Sequence, residues 1–313
     1  MNHMRRYSLL MALILCLTAL WGCAEKEPKP VEPDDTQQQQ QQQQQQVVPE
    51  LLSDAIICSD GETTLRFEHN AQGQWQWKDD PEFPLDTTYV EELAATIDEM
   101  LIAQPIETDK KPDDLGLDSQ KKYVTVVDDK GRKVTWYLGD KTDSGCYYMC
   151  LAGDETGSIY LAPAALSQQI SRSIYDMMIL PHLQLMAPEN IRSVTITAGE
   201  KTVTTVPNSS GVWVVGISSV NEIAQPMVQA ISRMQIDFCL DFKPSSGAAA
   251  ICGLDPAQAT MTVEFVNAAG VDYSLSLAIG AKLNDGYCVM FPDDTTIYSI
   301  KADVIEPILA FIQ

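Results

Sequence analysis

A chain that repeats its landmarks at one spacing is built to fold as two similar bodies, and this one does so from residue 54 to residue 313. Gly61 and Gly199 lie 138 residues apart, as do Leu65 and Val203, Gly73 and Gly211, and Trp75 and Trp213. At an offset of 137, Val90, Leu93, Ala94 and Ile97 fall on Met227, Ala230, Ile231 and Met234. At the same offset Gly116-Leu117-Asp118 falls on Gly253-Leu254-Asp255. Gly139 and Gly280 are 141 apart, Gly145 and Gly286 keep that spacing, and Ile159-Tyr160 with Ile297-Tyr298 return to 138. One or two such matches arise by chance. A colinear series with a nearly fixed offset reads as two tandem copies, 54–188 and 189–313.

Each copy predicts the same order of elements. A hairpin comes first, Ala55–Cys58 and Thr63–Glu68 in one copy, Ser193–Thr197 and Thr202–Val206 in the other. Asn and Gly at 70–73 and 208–211 supply the turns that lead to short strands at Trp75 and Trp213. One helix follows. In the first copy Thr88-x-x-Glu91 reads as a capping box, and Val90, Leu93, Ala94, Ile97 and Leu101 form one apolar stripe. In the second, Pro226 suits a first helical turn. Further strands follow at 123–127, 133–138, 147–150 and 158–161, and at 260–265, 273–279, 287–290 and 296–300. A last helix closes each copy, carrying Leu166, Ile170, Ile174 and Met177 in the first and Val304, Ile305, Ile308, Leu309 and Ile312 in the second. Strands joined by short turns indicate antiparallel pairing, so the expected fold is α+β, two tandem antiparallel sheets packed with helices.

The residues before the repeats read as an address. Arg5 and Arg6 precede the apolar run Leu9–Leu20, which is too short for a spanning helix and matches a secretory signal over 1–22. Leu20-Trp21-Gly22-Cys23 resembles a bacterial lipobox, with an aliphatic residue, a small residue and then the cysteine that takes the lipid. Trp21 departs from that pattern, whose middle position is usually small. The rival reading is an ordinary cleaved signal with a chance cysteine. Cys23 as lipid attachment residue would hold the mature chain by a thioether at the outer face of a bacterial membrane. Residues 23–53, rich in Pro, charge and an unbroken glutamine run from 37 to 46, cannot bury a core and read as a flexible tether. About 30 residues of such chain span on the order of 30 Å.

Charge narrows the partners. Lys and Arg number 21 against 43 Asp and Glu, a net charge of −22, and losing Arg5 and Arg6 with the signal takes it to −24. Nucleic acid and anionic lipid surfaces would repel such a chain.

Taken in order, the Trp strand, the helix, Gly116-Leu117-Asp118, Leu138-Gly139-Asp140, the Gly-x-Tyr-Tyr element at 145–148 and the strand at Ile159-Tyr160 resemble the bacterial domain of unknown function 4340. The second copy carries a weaker version, with Ile279-Gly280-Ala281 for Leu-Gly-Asp and Cys288 near the first Tyr of the Tyr-Tyr pair. The resemblance implies an exported or membrane-anchored protein. Its relatives are often encoded beside transporter components of the ATP-binding-cassette type that resemble gliding-motility auxiliary proteins. It implies no catalytic residue.

Candidate chemistry is sparse. Gly116, Leu117, Asp118, Gly139, Gly253, Leu254, Asp255 and Gly280, with Trp75 and Trp213, form a repeated signature that reads as structural: glycine permits positive φ, leucine plugs a core and aspartate caps a turn. Six cysteines remain after Cys16 and Cys23, at 58, 146, 150, 239, 252 and 288, and they read as mostly buried thiols with room for one bridge. His69 and His182 are isolated, so no metal site or cofactor is assigned. No Gly-x-Ser-x-Gly or Ser-x-x-Lys occurs, and no catalytic residue is assigned.

The leading expectation is therefore a lipid-anchored, non-catalytic accessory or binding component linked to a membrane transporter. An enzyme acting on cell-envelope polymer through carboxylates in a cleft between the copies is one alternative. A purely structural surface module is the other.

Overall fold

The computed structural model describes residues 53–184, 186–267 and 269–312. The signal segment, Cys23 and the tether as far as residue 52 lie outside the described residues.

The first half contributes β1 (Ser53–Asp60), β2 (Thr64–His69), β3 (Trp75–Trp77), α1 (Thr88–Leu101), β4 (Lys122–Asp128), β5 (Lys133–Lys141), β6 (Tyr147–Leu151), β7 (Tyr160–Leu161) and α2 (Leu166–Gln169). The second half contributes β8 (Ile191–Ala198), β9 (Lys201–Pro207), β10 (Trp213–Val215), β11 (Ser218–Ser219), α3 (Asn221–Ser232), β12 (Phe238–Asp241), α4 (Ala248–Ile251), β13 (Ala259–Val266), β14 (Asp272–Leu283), β15 (Gly286–Met290), β16 (Ile297–Lys301) and α5 (Ala302–Ala310). These strands form two antiparallel sheets, ordered β3-β2-β1-β4-β5-β6-β7 and β11-β10-β9-β8-β13-β14-β15-β16-β12. Without the flanking β11 and β12, the second order is the first repeated. The fold is α+β, as expected.

Period-two patterning explains the sheets. In β13, Ala259, Met261, Val263 and Phe265 are buried while Thr260 and Glu264 are exposed. On the other face, Thr204, Thr195, Thr262 and Ser276 form one rung across β9, β8, β13 and β14. Their hydroxyls pair at 2.9 Å between Thr195 and Thr204 and at 2.9 Å between Thr262 and Ser276. An antiparallel sheet with one apolar and one hydroxyl face buries only the former.

The helices cover the apolar faces. In α1, Val90, Leu93, Ile97 and Met100 are buried, and Ala94 and Leu101 pack at the edge of the same core. In α3, Ala224, Met227, Val228, Ala230 and Ile231 are buried.

Three local expectations are corrected. Thr88 is the first residue of α1 and not its cap: its N–H and hydroxyl both donate to Asp86 Oδ1, at 3.1 and 2.6 Å. The Glu91 N–H that such a cap would hold donates instead to Thr87 O at 2.9 Å, and the Thr88 hydroxyl is spent on Asp86. Pro226 lies inside α3, which starts five residues earlier at Asn221. It faces solvent, so the Glu222 carbonyl that loses its partner is left on the water side. The closing helix of the first half is broken into α2 and a 3-10 turn at Ile174–Met177. Ser171 Oγ donates back to Ser167 O at 2.8 Å, and Ser173, extended at ψ 159°, starts the new turn by accepting from Asp176 N–H. Leu166, Ile170 and Met177 are buried all the same.

One continuous apolar core joins the halves, running from Ile56 in β1 to Ile312 after α5. At the seam Phe83 meets Phe242 edge-on at 5.2 Å, Trp77 at 5.4 Å and Tyr175 at 6.3 Å. The seam's carboxylates are engaged: Lys243 Nζ reaches Asp80 at 2.9 Å and Glu82 at 2.5 Å, and the Tyr175 hydroxyl donates to Asp241 at 3.3 Å.

Candidate functional site: the paired glycine clasps

The repeated signature converges on one construction, built twice. In the first sheet the 3-10 turn Pro112–Leu115 runs into Gly116, at φ +70°. Leu117 N–H donates to Pro112 O at 3.1 Å, and the Leu117 side chain is buried with Leu115 and Ile159. Facing this turn, the β5–β6 ladder steps from Leu138↔Met149 to Lys141↔Tyr147, which leaves Gly139 and Asp140 opposite Tyr148 alone. This is a β-bulge, and it turns the backbone of β5 toward the loop. A Cβ on Gly139 would lie 2.1 Å from Leu115 O, and one on Gly116 would lie 2.8 Å from Asp140 Oδ1.

The second sheet repeats it. Helix α4 ends at Cys252 and passes into Gly253 at φ +66°. The β14–β15 ladder steps from Ile279↔Val289 to Lys282↔Tyr287, so Gly280 and Ala281 face Cys288. A Cβ on Gly280 would lie 2.2 Å from Cys252 O, and Ala281 N–H donates to that carbonyl at 2.7 Å. Leu254 is buried with Cys288 and Ile297. Each clasp therefore docks a loop carbonyl onto a glycine bulge, with one leucine beneath it as a plug.

The structure brings together Gly116, Leu117 and Gly139, and separately Gly253, Leu254 and Gly280. Asp118 and Asp255 are exposed, so the third motif position lies outside the clasp contact. Trp75 and Trp213 stand apart, on the opposite wing of each sheet. Trp213 is buried, whereas Trp75 is half-buried against His69, ring centroids 3.9 Å apart.

One residue per clasp, a lysine, escaped the sequence. Lys141 lies over the Tyr147 ring at 5.1 Å, and Lys282 over Tyr287 at 5.9 Å. By ladder position Tyr287 is thus the counterpart of Tyr147, and Cys288 that of Tyr148. The expected pairing of Cys288 with the first tyrosine is off by one, because the second hairpin is one residue shorter. The legible signal was Lys followed five or six residues later by Tyr, across a Gly turn.

Around the first clasp two shallow depressions adjoin, of about 270 and 330 Å³. Asp140 lines both, with Lys110, Asp114, Lys141 and Tyr148 on one side and Asp60, Lys121 and Lys122 on the other. The Thr63 N–H, then that of Glu62, holds the Asp60 carboxyl below the usual carboxylate range. Ammonium and carboxylate groups interleave along this edge. The second sheet replaces Asp140 by Ala281, so this lining belongs to the first sheet. Among the described residues no group of three or more His, Cys, Asp or Glu is placed to hold a metal ion, and no helix is long and apolar enough to cross a membrane. All six described cysteines are free.

A family model, described as a domain of unknown function (DUF4340), matches residues 75–237. That stretch runs from β3 in the first sheet to the residue before β12 in the second. No curated protein and no solved structure matches the chain.

Proposed function

The chain belongs to the domain of unknown function 4340 family, and from that premise we propose a non-catalytic accessory or binding component, lipid-anchored through Cys23 at the outer face of a bacterial membrane. Its partner is a membrane transporter complex of the ATP-binding-cassette type. The two halves are tandem copies of one ancestral unit. The shared strand order, the bulge at the same rung and the clasp carbonyl over the same glycine support that history.

One observation carries the non-catalytic reading. The glycines and leucines that define the chain's signature are spent on holding loop to sheet, in both halves, and the seam between halves is filled by Phe83, Phe242, Tyr175 and Trp77. A polar edge on the first sheet then serves as the contact surface, and the tether supplies its reach.

Two measurements test this. Metabolic labelling with palmitate should mark the wild type and not Cys23→Ser, whose product should leave the membrane fraction. Cross-linking in intact membranes followed by affinity capture should return transporter subunits. Labelling that persists in Cys23→Ser, or capture with no membrane complex, defeats the respective half of the proposal.

A further inference from the structure

Where the first clasp has Leu115 and Tyr148, the second has Cys252 and Cys288. The geometry brings them together from both sides. The Cys252 carbonyl is clamped on the bulge by the 2.7 Å bond from Ala281 N–H and by contact with Gly280. Cys288 is the residue opposite that same bulge on β15. Both side chains sit in the small cluster around Leu254 and Ile297, Cys288 buried within it and Cys252 packed against it. We propose that Cys252 and Cys288 form a closable dithiol, which under a disulfide oxidant becomes an intramolecular bridge that locks the second clasp shut.

Their environments assign the roles. Cys288 is buried, and desolvation first, with the neighbouring thiol second, pushes it up to about 12. Cys252 is only half-buried, at the end of α4. Cys252 is therefore the sulfur that meets the oxidant first, since an attacking sulfur must be reachable. Its sulfur attacks one sulfur of a small disulfide such as oxidised glutathione, forms a mixed disulfide and expels one glutathione thiolate. Cys288 then gives up its proton to solvent, its sulfur attacks Cys252 Sγ, and the second glutathione thiolate leaves. Two protein thiols are oxidised and one glutathione disulfide is reduced to two thiols. Because Cys288 resists ionisation, the second step is the slow one and accelerates with rising pH.

The bridge closes a long loop, from α4 to β15, and so restricts the unfolded chain more than the folded one. This goes beyond the proposed function and stands without it, since the chemistry depends only on the two residues and an oxidant.

The test uses the full chain, incubated natively with oxidised glutathione, alkylated, digested and mapped by mass spectrometry. The expected product is a linked peptide pair carrying Cys252 and Cys288, with a mass loss of roughly 2 Da, formed faster at pH 9 than at pH 7. The melting temperature should rise by about 5–10 °C, and fall back on reduction. Cys252→Ser should abolish the link and the rise, and leave Cys288 protected from alkylation until unfolding. Independent alkylation of both residues after full oxidation, or linkage of either to another cysteine, overturns the proposal.

Discussion

Gly139→Ala isolates the clasp. The residue is not at positive φ, so the substitution tests space and not backbone preference. A carbon and a carbonyl oxygen in ordinary contact lie about 3.3 Å apart or more. The new methyl would sit 2.1 Å from Leu115 O, so loop and sheet must part by about 1.2 Å. Neither side yields easily, because one is a 3-10 turn and the other follows directly on Leu138, which is paired to strands on both sides. Overpacking of this kind costs about 1–3 kcal/mol. Parting also loosens Leu117, whose complete loss would cost about 2–5 kcal/mol. Together a destabilisation of about 3 kcal/mol follows, or a fall in melting temperature of about 6–12 °C. Gly131→Ala is the control. It stands at φ +76° with nothing within 4 Å of a Cβ, so only the backbone penalty of about 1–2 kcal/mol applies. Thermal melts followed by circular dichroism compare the two. A Gly139→Ala loss no larger than that of Gly131→Ala would refute the clasp as a steric lock. Gly280→Ala, 2.2 Å from Cys252 O, should reproduce the Gly139→Ala result in the other half.

Two further outcomes follow from the core and from its ion pairs. Phe83→Ala should cost about 3–5 kcal/mol in urea unfolding, since the ring fills the seam between halves; a loss under 1 kcal/mol would mean the halves do not depend on it. Asp128 is buried, which by itself raises its pKa, but N–H bonds from Arg132 at 2.7 Å and Lys130 at 3.0 Å and the Arg132 guanidinium bring it below the usual range. Its contribution is therefore complete above about pH 4 and lost as pH falls through the lower folded value. Because a charge of −22 is also relieved in acid, the diagnostic is the difference between wild type and Asp128→Asn, which should shrink on acidification. A difference constant with pH would exclude the linkage.

Much of the architecture was legible because it is written in apolar alternation and repeated twice. Trp75 and Trp213, or Leu117 and Leu254, mark equivalent places whatever lies between. Glycine signalled the clasps for the right reason at 116 and 253, where φ is positive, and for a different one at 139 and 280, where a carbonyl takes the space of a side chain. The latter is a contact between segments distant in the chain, which local pattern cannot display. The same limit hid the N-cap of α1 at Thr87 and the break after α2, because hydrogen bonds among neighbouring residues decided both. It also hid the Cys252–Cys288 pair, whose partners meet only once the bulge has formed. The polar edge around Asp140 had only an indirect trace, in the Ala281 that stands where the first sheet has Asp140.

The place of β1 has a mechanical consequence. Residues 1–52 join the body at Ser53, the first residue of a strand inserted between β2 and β4, with five residue pairs on one side and seven on the other. Tension applied through the N-terminus while the body is held would load both ladders along their length. The bonds would be sheared together rather than unzipped in turn. Attachment at an outer strand of the same sheet would peel it one rung at a time, so a central entry point gives the molecule a grip that resists pulling.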